Sequence, residues 1–257
     1  MEASSWDAAL VAWRPAPPGS AVREAAVQAA LTGDADHAAV TGSPSFVRAR
    51  RGLADRGSLL DVGCGAGRAS VALAASLPGT ALIGVDSSAP VLEAFTARAR
   101  AASVPVRTVL GTWPAAAART PAADVVVCHH VLYHADGLAA FAEALTDRAR
   151  RSVVVEIPWE HPHAWMRPLW SALHGADRPD PPTAHGAARV LLGLGLRVRI
   201  EEWTDPSDPW RGRRAALVRH VCDRLGTSDT DRVRALLDEH GLPPRGRRMA
   251  TLWWPVP

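Results

Sequence analysis

The chain has 257 residues, 47% of them hydrophobic, which suffices for one large α/β domain around a buried core and leaves no room for a second independent catalytic domain. The formal net charge is only +3 and all 29 basic residues are arginines, scattered in pairs such as Arg50 with Arg51 and Arg213 with Arg214, so no basic run exists to grip a nucleic-acid backbone. Cys64, Cys128 and Cys222 are too few and too widely spaced for a disulfide framework or a four-ligand zinc site; with no basic-then-apolar leader and no apolar run of bilayer length, a cytoplasmic location is expected.

Residues 1–57 are alanine-rich with turn signals at Pro15 to Gly19, Thr32 to Asp34 and Gly42 to Pro44, which predicts three short helices forming an N-terminal helical cap. From Ser58 onward short β runs alternate with helical segments, the pattern of a parallel sheet covered on both faces. Strands are expected over 58–62, 81–86, 106–110, 124–128 and 152–157, with helices near 68–77, 89–101 and 138–150. A Trp-rich segment (159–175), a helix (184–194) and a strand (196–203) follow. Amphipathic helices over 211–225 and 229–240 precede a last β run, 249–256. Residues 58–257 are thus read as one domain, with cover insertions near 158–182 and 207–245.

The most informative stretch is Leu59-Leu60-Asp61-Val62-Gly63-Cys64-Gly65-Ala66-Gly67-Arg68, an apolar strand ending in an acid and a glycine-alternating turn into a helix. Glycines there permit a tight turn and let a ligand approach the main chain. A dinucleotide site wants G-x-G-x-x-G, but Arg68 occupies the place of the third glycine. Asp61, just before the loop, suits a cationic amino group better than two phosphates. The next strand ends in Asp86, 19 residues after Gly67, where a doubly wound sheet brings a carboxylate to ribose hydroxyls. Its two oxygens match two vicinal donors, although Asp86 alone reads equally as a cap for the helix after Ser87 and Ser88.

These residues resemble the first motif of the class I S-adenosylmethionine-dependent methyltransferases, a Rossmann-like family with D/E-x-G-x-G-x-G after the first strand. The resemblance covers about residues 58–157 by motif and runs more loosely to the end of the chain. It implies S-adenosyl-L-methionine as cofactor and a seven-stranded, mostly parallel sheet with helices on both faces, a helical cover and an antiparallel last strand. Gly63 would meet the methionine part, Asp61 would support the amino group directly or through water and Asp86 would hold the ribose, with Gly65, Gly67 and Ser87 also binding the cofactor. Where the family often has an acid after the third strand, this chain has Leu110-Gly111-Thr112-Trp113. Gly111, Thr112 and stacking on Trp113 are the expected adenine contacts, the other reading being that Trp113 packs under the next helix.

The fourth strand runs into Cys128-His129-His130-Val131-Leu132-Tyr133-His134, and ligands of open α/β sheets sit at such strand ends. Cys128 and His129 are expected to line the cofactor. His130, Tyr133 and His134 would face the acceptor, with His130 and His134 as candidate bases for an oxygen or nitrogen nucleophile; each also reads as a hydrogen-bonded structural histidine. Glu156, Trp159, His161 and Trp165 are expected substrate contacts. His130, His134, Glu156, His161 and His163 match no metal motif in spacing, so a plain acceptor pocket is expected and no metal. Five tryptophans between 159 and 210 either wall that pocket or, since Trp165, Leu169 and Leu173 repeat at helical spacing, seal a lid. The expected activity is methyl transfer to a small molecule, with no nucleic acid or membrane as partner. The alternatives are methylation of RNA or protein, which needs an open or basic groove, and a non-catalytic cofactor-binding module.

Overall fold

The computed structural model describes residues 3–13, 40–53, 55–135, 137–208 and 210–257. In chain order the elements are α1 (Ala3–Trp13), α2 (Pro44–Gly52), β1 (Ser58–Val62), α3 (Arg68–Ala75), β2 (Ala81–Asp86), α4 (Ala89–Ala101), β3 (Val106–Leu110) and β4 (Ala123–His129). There follow α5 (Leu138–Arg148), β5 (Ala149–Pro158), α6 (Arg167–His174), α7 (Ala184–Gly193), β6 (Arg199–Asp205), α8 (Arg214–Leu225), α9 (Thr230–Glu239) and β7 (Arg247–Pro255). The seven strands form one sheet of order β3-β2-β1-β4-β5-β7-β6. Only β7 runs against its neighbours, pairing antiparallel with both β5 and β6.

Strand alternation sorts side chains onto two faces. Leu60, Val126, Cys128, Val153 and Val155 point into a core covered by α1, α5 and α7, while Leu59, Val125, Val127 and Val154 meet α2, α3 and α4. The described helices of the N-terminal segment therefore serve both faces: Trp6 and Leu10 of α1 enter the first core, and Phe46 and Ala49 of α2 the second. Ser43 caps α2, accepting from the Phe46 N–H, with Pro44 in its first turn. The turn signals at 15–19 and 32–34 lie outside the described residues. A third cluster packs Met166 and Leu169, with Trp165 and Leu173 beside them, against α8 and α9 and includes no strand residue.

The strands and helices match the expected elements to within a few residues. β5 begins at Ala149 because Ala149 pairs with Ala123, which ends α5 at Arg148. β6 begins three residues later than expected. Leu196 and Val198 are apolar because they pack on the first core from the turn after α7, before pairing starts at Arg199.

Candidate functional site

The winding of the sheet reverses between β1 and β4, and the ligand crevice of an open α/β sheet lies at that point. The loop leaving β1 is tied to β2, since the N–H groups of Gly63 and Cys64 both donate to the Val85 carbonyl at 2.8 and 3.0 Å. Gly63 has φ +70°, and a Cβ there would overlap Val131 on the segment leaving β4. Backbone conformation and close approach both require glycine at that position. Gly65, at φ +51°, has nothing within 4 Å of where a Cβ would stand, so its outer side is open to a ligand. Its N–H donates to Asp86 Oδ2 at 3.0 Å, while the Ser88 N–H donates to Oδ1 at the same distance. A carboxylate has about four lone-pair sites, so Asp86 can brace the loop and still accept from hydroxyls, with Ser87 exposed beside it.

Asp61 is buried at the end of β1, and burial raises its carboxyl above the usual range against the lowering influence of nearby His129. His129 Nε2 is itself buried and has no hydrogen-bond partner among the described residues. A desolvated carboxylate next to an unsatisfied ring nitrogen is a polar site that a charged ligand completes.

His130 takes the left-handed conformation, φ +61°, which brings its chain back over β5. Its N–H donates to the Glu156 carbonyl at 2.7 Å, and its Nε2 stands 3.2 Å from Glu156 Oε1. Burial alone would raise the Glu156 carboxyl. The hydrogen bond from His130, the charges of His129 and His130 and a hydrogen bond from Ser45 outweigh it and hold Glu156 at about 2. With Nε2 turned to the carboxylate, a neutral His130 keeps its Nδ1 lone pair available. Glu156 is thus the partner of His130 and does not line the cavity that opens past β5, in place of the expected substrate contact.

Three further expectations are corrected on the cofactor side and beside it. Cys128 points into the core under α5 and α7, on the opposite face from Asp61, and is fully buried. Trp113 donates its indole N–H to the Phe141 carbonyl at 3.3 Å and packs on that core, so its packing reading prevails over stacking. The open surface at the end of β3 is instead Leu110, 52% exposed, with Gly111 and exposed Thr112 after it and the Arg119 guanidinium donating to the Leu110 carbonyl. Tyr133 is buried against Trp6 and gives its hydroxyl to the Pro158 carbonyl at 3.0 Å, which makes it a structural strut.

A cavity of about 630 Å³ opens past the end of β5, bounded by the ends of β6 and β7 and by α8. The chain after β5 is pinned there: the Trp159 N–H donates to the Arg248 carbonyl and the Trp159 carbonyl accepts from Ala184. Trp159, His161 and Trp165 line the cavity with His163 and Trp210, and His220 joins them from α8, a segment the sequence did not connect. Arg245, Arg247 and Arg248 stand at its rim; Arg247 is paired with Asp205 at 2.5 Å and Arg248 with Glu202.

The rings of His161 and His163 lie 5.3 Å apart, and those of His163 and His220 5.6 Å. Burial, reinforced by Arg224, lowers all three imidazoles, His161 and His220 to about 4 and His163 to about 2; His134 and Arg178 also act on His161. The His163 N–H donates to His161 Nδ1 at 3.3 Å, which leaves the proton of neutral His161 on Nε2. His134 is exposed and neighbours this cluster without lining the cavity. Of the histidines and glutamate considered as a metal group, His130 pairs with Glu156, His161 and His163 join His220 in a row, and His134 stands exposed beside that row. Among the described residues no three potential ligands stand close enough to share an ion.

A methyltransferase-domain family model matches residues 59–151, from β1 into β5. No curated protein matches the chain. Among solved structures, an S-adenosylmethionine-dependent methyltransferase from Thiobacillus denitrificans in complex with S-adenosyl-L-homocysteine is 18% identical, with a TM-score of 0.56 over 93% of this chain and 99% of that one. A similar enzyme from Geobacter sulfurreducens, also with S-adenosyl-L-homocysteine, is 18% identical with a TM-score of 0.54 over 90% and 98%. Magnesium protoporphyrin IX methyltransferase from Synechocystis is 14% identical with a TM-score of 0.55 over 90% and 94%. The matched residues carry the glycine loop, Asp61 and Asp86 on a sheet wound like those structures, and residues 59–151 form a methyltransferase domain, an enzyme domain whose cofactor is S-adenosylmethionine.

Proposed function

We propose that the chain methylates an oxygen or nitrogen atom of a small molecule held in the cavity past β5. One observation carries this reading: the cavity of about 630 Å³ is walled by Trp159, Trp165 and Trp210 with three imidazoles kept neutral by burial, past the carboxyl ends of β5 and β6. Its volume and its mixture of aromatic walls with a few polar groups suit a small planar ligand. Its rim arginines are largely neutralised by acids, so no open basic groove favours RNA. Residues 58–257 form the catalytic domain in this reading, and 1–57 with the segments 158–182 and 207–245 its cover.

The cofactor supplies a methyl group on an electrophilic sulfonium. Asp61 and His129 hold its amino-acid end, where the buried carboxylate favours an ammonium; the backbone at Gly63, Gly65 and Gly67 lets it lie close; Asp86 and Ser87 take the ribose hydroxyls. Leu110, Gly111 and Thr112 floor the adenine. The protein's remaining task is alignment in a site shielded from water, an effect large enough to carry much of the barrier reduction. His130, oriented by Glu156, presents Nδ1 to accept the acceptor's proton; His134, near the cavity but outside it, is the second candidate.

Methyl transfer measured with labelled S-adenosylmethionine across small phenols, amines, aromatic acids and RNA tests the proposal. A small planar acceptor should be labelled, and Trp165→Ala should reduce transfer by roughly tenfold or more through lost ring contact while leaving S-adenosyl-L-homocysteine affinity unchanged. Labelling of RNA alone, or equal turnover by the variant, would contradict it.

A further inference from the structure

A second, smaller cavity of about 260 Å³ adjoins the first, and His163 lines both. It lies between α1, α6 and α8 and has an unusual charge composition. Arg167, Arg178 and Arg224 enter its wall, against a single acid, Asp223. Arg167 is already engaged by Asp180 at 3.3 Å. Among the described residues the other two guanidiniums form no ion pair with a carboxylate. Arg178 lies between the rings of Trp13 and Trp170, 4.4 and 4.5 Å from their centroids, and spends one N–H on the Ala12 carbonyl at 3.1 Å. Arg224 makes no hydrogen bond or ion pair among the described residues, and its Nε–H is buried without an acceptor.

Such an arrangement is costly in the ligand-free protein. Burial works against the charge of both Arg178 and Arg224, and only the adjacent Asp223 favours the charge of Arg224. A buried donor without a partner forfeits its hydration, and a guanidinium more so than a neutral group. The neighbouring imidazoles of His161, His163 and His220 are held neutral, partly by these arginines, and so add no competing charge. What satisfies a planar fork of N–H groups is an oxyanion, which accepts two parallel hydrogen bonds. The flanking indoles of Trp13 and Trp170 hold the Arg178 guanidinium at the cavity wall.

We propose that this cavity is an anion subsite of the acceptor pocket: Arg178 and Arg224 take a carboxylate or phosphate of the acceptor, whose planar body lies in the tryptophan-lined cavity on the other side of His163. The assignment rests on the reading of the larger cavity as the acceptor pocket, and it narrows the acceptor to an anionic aromatic compound.

The test uses the full chain and the probes benzoate, phenyl phosphate and neutral benzamide, titrated while the indole N–H resonances of Trp13 and Trp170 are followed by nuclear magnetic resonance. At least one anion should shift these two resonances and bind roughly tenfold or more tighter than benzamide, the scale of a charge-assisted hydrogen-bond pair. Comparison of benzoate with phenyl phosphate decides between carboxylate and phosphate. Arg224→Gln should abolish that preference with the thermal midpoint unchanged or raised, because an unpaired charge has been removed. Benzamide binding as tightly as both anions, anion-induced shifts confined to other residues, or an Arg224→Gln variant that keeps the preference would overturn the subsite. S-adenosyl-L-homocysteine binding, measured on the same samples, reports separately on the methyltransferase reading and does not depend on Arg224.

Discussion

At the scale of single residues, the glycines of the loop do different work. Gly63 is constrained by the protein itself, because Val131 fills the space a side chain would need. Gly65 is constrained by φ +51° alone, since no protein atom lies near its missing Cβ. Gly65→Ala should therefore cost about 1 to 2 kcal/mol of stability, the price of a left-handed non-glycine residue, yet place a methyl group where the cofactor approaches. Calorimetry should show S-adenosyl-L-homocysteine affinity reduced by roughly tenfold or more, that is about 1.4 kcal/mol, beside a modest shift in urea midpoint. A variant that binds the product normally would remove Gly65 from the cofactor contact. The placement of Asp61, Gly63 and Asp86 around the loop after β1 was legible in sequence because it follows from local chain order: acid, turn, helix, next strand, acid. Tyr133, Trp113 and Cys128 were misplaced because type and proximity in sequence do not say which face a residue meets. Cys128 is one step from His129 along β4, and strand alternation sends the two side chains to opposite faces.

At the scale of elements, the parallel strands were legible because doubly buried strands are near-continuous apolar runs, as Leu59–Val62 and Val125–Cys128 illustrate. The start of β6 was not, because Leu196 and Val198 are apolar for a different reason, packing on the core from a turn. The lining of the cavity past β5 was legible in part. Trp159, His161 and Trp165 follow directly on β5 and inherit its position. His220 on α8 and the arginines just before and at the start of β7, Arg245, Arg247 and Arg248, reach the same cavity only because α8 and the antiparallel β7 return the chain to the end of β5. No local pattern signals that return. The Glu156–His130 pair is likewise a product of topology: β4 and β5 are neighbours in register, His129 opposite Glu156, and the left-handed turn at His130 folds its ring onto the carboxylate.

At the scale of the whole molecule, the buried imidazole row couples stability to pH. An unfolded histidine takes up its proton near 6.5, whereas folded His161 and His220 do so at about 4 and His163 at about 2. Between 6.5 and 4 the unfolded chain binds protons that the folded chain does not, so stability falls as pH falls through that window, by up to about 1.4 kcal/mol per pH unit for each histidine. Glu156 acts lower down: its contribution is present above about 4.5 and is lost as pH drops towards 2. The urea midpoint should therefore be lower at pH 5 than at pH 7, and His220→Gln should reduce the difference; equal midpoints at the two pH values would contradict the burial of these rings. The account as a whole places the cofactor along the loop at β1 and the acceptor in the cavity past β5. Diffraction from crystals soaked with S-adenosyl-L-homocysteine tests this most directly. The predicted density runs along Gly63 to Gly67 with the ribose on Asp86 and the sulfur towards His130, leaving the cavity of Trp159 and Trp165 free; density for the compound inside that cavity, or its absence from the loop at saturating concentration, would contradict the account.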